Sequence, residues 1–81
     1  MALFTIKTFY SIEKYICENI GLFLDSVGFC DAFEVISEEE PTGAQLTAYK
    51  EALGAGCDPL RASAYALGCL SLDEAIAETL S

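Results

Sequence analysis

Between positions 42 and 80 the sequence spells out the start and stop of three helices in close succession, and no other feature constrains the fold as much. Thr42 and Gln45 form a T-x-x-Q capping box, in which the threonine hydroxyl and the glutamine amide each satisfy an otherwise unpaired N–H of the first turn. Asp58 and Pro59 supply an N-cap followed by a first helical residue that has no N–H to satisfy. Ser71 and Glu74 make a second capping box. Gly54 and Gly56 are placed to close the first of these helices and Gly68 the second. Their expected apolar faces are Leu46, Tyr49 and Leu53, then Leu60, Ala64 and Leu67, then Leu72, Ile76 and Leu80. None is long enough to stand alone in water, so the three must pack on one another.

The first half is written differently. Residues 2–10, ALFTIKTFY, are β-branched and aromatic, which predicts a strand with Phe4, Ile6, Thr8 and Tyr10 on one face. Ser11 offers an N-cap, and Ile12, Tyr15, Ile16, Ile20, Phe23, Leu24 and Val27 fall at three- and four-residue steps, which predicts a helix ended by Gly28. Residues 31–37, DAFEVIS, favour a second strand over a continuation of the helix, and SEEEPTG predicts a break, since Pro41 disfavours a helical residue before it. The expected fold is α+β in the order β-α-β-α-α-α, a single domain over residues 1–81. An acidic β-α-β half covers 1–40 and three short helices cover 42–81. A first helix about 24 Å long would carry the chain back so that the two strands lie parallel. Two strands leave an open edge, free to pair with a second copy or a partner.

A chain of 81 residues that is 53% apolar must leave some apolar surface uncovered, because a domain this small buries only about 60% of what its unfolded chain exposes. That surface suits a partner interface or a weak homodimer. Thirteen Asp and Glu stand against Lys7, Lys14, Lys50 and Arg61, for a net charge of −9. This balance repels nucleic acid and anionic membranes and favours a positively charged partner. Lys7 interrupts the stretch where a secretory signal needs an apolar run, and no segment reaches the length of a membrane span. A cytoplasmic location is expected, with Cys17, Cys30, Cys57 and Cys69 as reduced, mostly buried thiols.

Catalytic chemistry is hard to find. There is no histidine, which removes the commonest general base and metal ligand. No C-x-x-C pair exists, and the Glu38–Glu40 run lacks the alternating spacing of a calcium loop. LGAGCDP contains G-x-G, but without a preceding strand or a third glycine it reads as a helix stop and restart. The sequence therefore predicts no enzyme, no metal and no cofactor.

The placement of charge is more informative. No basic residue lies between Lys14 and Lys50, while Glu18, Asp25, Asp31, Glu34, Glu38, Glu39 and Glu40 all do. In the expected fold these acids line the exposed side of the first helix, its end, and the loop after the second strand, as one continuous negative face. Two readings follow. The acids keep an apolar chain soluble, or they imitate the phosphates of a nucleic acid and occupy a basic groove.

By size, charge and this strip of seven acids, the chain resembles the small acidic inhibitors that phages encode against bacterial defence, of the anti-CRISPR and anti-restriction kind. That resemblance implies binding to a DNA- or RNA-binding surface of a defence complex in the cytoplasm of a bacterial host, without direct contact to nucleic acid. Residues 46–80, with LTAYKEALGAG, DPLRASAYALG and LSLDEAIAETL, are similar to a ubiquitin-associated domain, which implies a helical protein-interaction module. Where that family carries a large apolar residue in the loop after its first helix, this chain has Leu53, Gly54, Ala55 and Gly56. The length, the acidity and SIEKYICENIG also look like an acyl carrier protein, with Asp25 and Ser26 at the place of its attachment site. In the expected fold Ser26 lies in the last turn of the first helix, whereas the family's serine opens a helix.

Overall fold

The computed structural model describes the whole chain, Met1–Ser81, as a small α+β protein with a three-stranded antiparallel sheet and four helices. The elements are β1 (Ala2–Thr8), β2 (Ile12–Cys17), α1 (Ile20–Ser26), β3 (Phe33–Glu39), α2 (Gly43–Gly54), α3 (Pro59–Ala66) and α4 (Leu72–Leu80). They fall into two compact units, Met1–Pro41 and Thr42–Ser81.

In the first unit β1 is the middle strand, with β2 on one side and β3 on the other. Both pairings are antiparallel, so the expected parallel two-stranded sheet is corrected to three strands. The cause is the segment after Ser11. The expected helix is not one element: Ile12–Cys17 returns along β1, and only Ile20–Ser26 is helical. Ser11 caps no helix. Instead, the Thr8 Oγ1 accepts from the N–H groups of Tyr10 and Ser11, and the Thr8 hydroxyl donates to the Ser11 carbonyl. These bonds clamp a hairpin turn whose two central residues are Phe9 and Tyr10. No non-glycine residue has positive φ, so this turn is not one of the primed types that Asn-Gly signals in sequence. The true N-cap of α1 is Asn19, whose side chain accepts from the Leu22 N–H at 3.0 Å.

Antiparallel partners share a face of the sheet. One face therefore carries Phe4, Ile6, Tyr15 and Cys17, and α1 packs over it with the Tyr15 and Phe23 rings 5.1 Å apart. Ile6, Cys17, Phe23 and Leu24 are buried there. Leu3 and Ile16, partners on the opposite face, are buried as well. β3 runs on to Glu39, so Glu38 and Glu39 belong to a strand and not to the loop expected there. A bulge leaves Ile36 without a partner, between Val35 opposite Ile6 and Ser37 opposite Thr5.

The second unit keeps the helix starts read from sequence. Both capping boxes are formed, with Thr42 and Gln45 and with Ser71 and Glu74, and the Asp58 side chain accepts from the Arg61 N–H at 2.8 Å. Gly56 and Gly68, at φ +99° and +81°, each end a helix in a Schellman turn. The glycine N–H reaches the carbonyl three residues back, and the next N–H reaches the one five back. Gly54 is the last residue of α2, with Ala55 as its C-cap. Of the expected stripes Tyr49 is buried; the other buried residues are Ala52 in α2, Ala62 and Ser63 in α3, and Ala75 in α4. Small residues thus make up most of the fully buried positions of this unit. Leu80 is 80% exposed and so lines no core. Polar ties add to this packing: the Asp58 N–H donates to Thr79 Oγ1, and Arg61 lies 3.6 Å from Asp58 and 3.8 Å from Glu78.

Substitution of Ile6 with alanine is expected to cost about 3 kcal/mol, as for other buried isoleucines, and Leu80→Ala less than about 0.5 kcal/mol. Urea unfolding of the two variants checks this assignment. A larger loss for Leu80→Ala would mean that α4 packs through its leucine stripe.

Candidate functional site

The seven acids expected to act together all lie in the first unit, and all are exposed. None of their carboxylates makes a hydrogen bond or an ion pair; the chain's ion pairs both use Arg61 in the second unit. Their arrangement differs from the one expected. Glu18 is not on a helix but in the turn between β2 and α1, just ahead of the capping Asn19. Asp25 is in the last turn of α1, where the helix dipole disfavours an anion and no basic residue offsets it. Asp31 lies in the loop before β3, Glu34, Glu38 and Glu39 lie in β3, and Glu40 follows it.

The pairing registers show which of these acids come together. Glu34 stands opposite Lys7 and Glu39 opposite Leu3, which puts both on the face that also carries Lys14, the partner of Thr5. Glu38 stands opposite Phe4, on the other face. The expected continuous negative face is therefore corrected: one face mixes both signs, and Glu38 and Glu39 project to opposite sides. What several of them share is an edge strand. Glu34, Glu38, Glu39 and Glu40 follow the outer rim of β3, whereas Glu18 leaves the opposite edge strand, about 10 Å away across β1. Asp25, on α1, is not part of that rim.

Apolar residues interleave with these acids. Phe33, Val35 and Ile36 are 37%, 42% and 51% exposed, and Ser37 alone in β3 is partly covered. At the end of the β1–β3 pair, Lys7, Thr8, Phe9, Ala32, Phe33 and Glu34 line a shallow depression of about 330 Å³. The hairpin tip beside it presents Phe9 and Tyr10, which are nearly fully exposed with their rings edge to face at 5.2 Å. Sequence reading placed Phe9 and Tyr10 in a strand and so missed them. Phe33, Val35 and Ile36 in DAFEVIS signalled the strand but gave no sign of which edge would be open.

The thiols are all free: Cys17 and Cys57 are buried, and Cys30 and Cys69 are exposed. Burial pushes the Cys17 thiol up to about 11, against a smaller opposing pull from the positive N-terminus. Tyr65 donates to Glu51 Oε1 at 2.7 Å, and that bond raises its phenol above the ordinary value. No three His, Cys, Asp or Glu side chains converge in a metal-binding arrangement, and no helix is long and apolar enough to cross a membrane. Compared with protein-family models, with curated proteins and with solved structures, the chain matches none.

Iodoacetamide at pH about 8 is expected to label Cys30 and Cys69 well before Cys17 and Cys57, because the thiolate is the nucleophile and burial blocks access. Cys17 gains reactivity only as the pH approaches 11. The sign for stability follows. A folded-state pKa raised above 9.0 makes a contribution that is complete below that pH and is lost as pH climbs towards 11. Peptide mapping by mass spectrometry reads the order of labelling, and equal rates at all four cysteines would contradict the burial of Cys17.

Proposed function

We propose that this chain is a non-enzymatic binding protein. Its acidic first unit occupies the basic, nucleic-acid-binding surface of a partner, of the kind a bacterial defence complex presents. The observation that carries this reading is the row of exposed, unneutralised carboxylates along β3. A strand is a suitable support for such a row, because ladder hydrogen bonds to β1 fix the backbone and hold the acids in a defined order. Carboxylates on a rigid support lose less freedom on binding than those of a mobile acidic tail. Asp25 also supports a role beyond local stability, since its place at the end of α1 works against the helix.

A second reading draws on the helical unit, where Leu53 and Leu80 are exposed beside the α2–α3 turn and at the end of α4. It makes the chain a ubiquitin-associated-like interaction module that binds through apolar contacts. The two readings differ in salt dependence, since screening weakens exposed charge pairs and leaves apolar contacts nearly unchanged.

The test is capture of the partner from a bacterial lysate, followed by challenge with duplex DNA. Capture is expected to weaken steeply with added salt, and duplex DNA is expected to release the captured protein. Reversing Glu34, Glu38, Glu39 and Glu40 together should lower affinity by about 100-fold or more. Unchanged capture by that quadruple variant, or a partner that holds this chain and DNA at once, would sink the mimic. Loss of capture on Leu80→Asp with little salt dependence would establish the helical module instead.

A further inference from the structure

The open edge of β3 has the composition of a strand-addition site for a basic segment. β3 pairs with β1 alone, so the backbone N–H and C=O groups of its outer side have no strand partner. The other outer strand, β2, is a poorer candidate. Its Ile16–Cys17 end is buried, α1 packs beside it, and its charges are of both signs, Glu13 and Lys14. On β3, by contrast, the exposed apolar side chains of Phe33, Val35 and Ile36 lie among Glu34, Glu38 and Glu39, and no basic residue occurs in the strand.

Charge decides between the occupants. Two copies of β3 placed edge to edge would bring six glutamates, three from each strand, into one ribbon. Like charges on adjacent strands repel, so the acids guard this edge against self-pairing. The same acids become attractive partners for a strand that carries lysine or arginine. They project to both faces, with Glu34 and Glu39 on one and Glu38 on the other. A basic strand could therefore meet opposite charge on either side while its apolar residues cover Phe33 and Val35.

We infer that β3 takes up an extended lysine- or arginine-rich peptide segment of its partner as a fourth strand of the sheet. The inference rests on the basic-partner reading above and specifies how contact is made: main-chain hydrogen bonds supply the pairing, and the glutamates select the sign of the side chains. The bulge at Ile36 divides the ladder, so the added strand pairs along Phe33–Val35 and Ser37–Glu39 and not at Ile36.

The probe is a peptide of alternating lysine and valine as long as β3, with a control in which every backbone amide is methylated. Charge and side chains are the same in the two; only the second cannot donate ladder hydrogen bonds. With the full chain, the unmethylated peptide is expected to slow amide hydrogen exchange in residues 33–39 by about tenfold and to leave the helices of the second unit unchanged. The methylated peptide is expected to bind about tenfold more weakly. The triple variant Glu34→Lys, Glu38→Lys, Glu39→Lys should lose affinity to a similar extent while its far-ultraviolet circular dichroism stays unchanged. Absence of binding, equal binding of both peptides, or protection outside β3 overturns the proposal. So does a dimer of the chain by sedimentation whose protected amides are those of β3, since the edge would then belong to a second copy. Equal binding of both peptides would leave the basic-surface reading intact, and the DNA challenge decides that reading separately.

Discussion

The first unit depends on the pairing of β1 with strands on both of its sides. β1 contributes Leu3, Phe4 and Ile6 to the buried set, the first to one face of the sheet and the other two to the opposite face. With both faces buried along most of its length, β1 suits the centre, because an edge position would leave a row of its N–H and C=O groups without partners in an apolar setting. Once β1 is central, the chain has to supply two neighbours. The nearest sequence on one side is 12–17, which leaves 33–39 for the other. The hairpin turn, the late start of α1 and the exposure of β3 all follow from that need.

The second unit was largely legible because its signals are local. A capping box needs only residues three apart, and a Schellman turn needs only a glycine at the one position where φ must be positive. Thr42, Asp58, Ser71, Gly56 and Gly68 are such positions, and each does what its residue type suggests. The apolar stripes were less reliable. They picked mostly large side chains, whereas Ala52, Ala62 and Ala75 are the fully buried ones. A hydrophobicity pattern weighs alanine too lightly to find such positions.

The first unit was misread for a different reason. Ile12, Tyr15 and Ile16 satisfy a helical period by position, yet isoleucine and tyrosine favour strands, and the demand that settles the matter comes from β1. The hairpin carried no Asn-Gly or Asp-Gly to announce it; Thr8 holds the turn with its side chain instead. Missing β2 moved the acidic residues as well. The same seven acids were identified, but a helix and a loop would have gathered them on one face. The real register interposes Lys7 and Lys14 and makes a rim of part of the strip. Charge can be counted from a sequence, but its distribution over a surface depends on strand register.

The bulge in β3 shows how strongly register matters. In an unbroken strand, residues an even number apart share a face, which would group Glu34 with Glu38. The unpaired Ile36 shifts the alternation by one, so Glu34 is grouped with Glu39 and Glu38 stands apart. This has a consequence for how the sequence can drift. Deleting a residue elsewhere in β3 would offset the side chains beyond it against β1, but losing Ile36 would straighten the strand and leave every existing pair in place. Length variation in this strand should therefore be tolerated at one position, where a shortened chain keeps its pattern of charge.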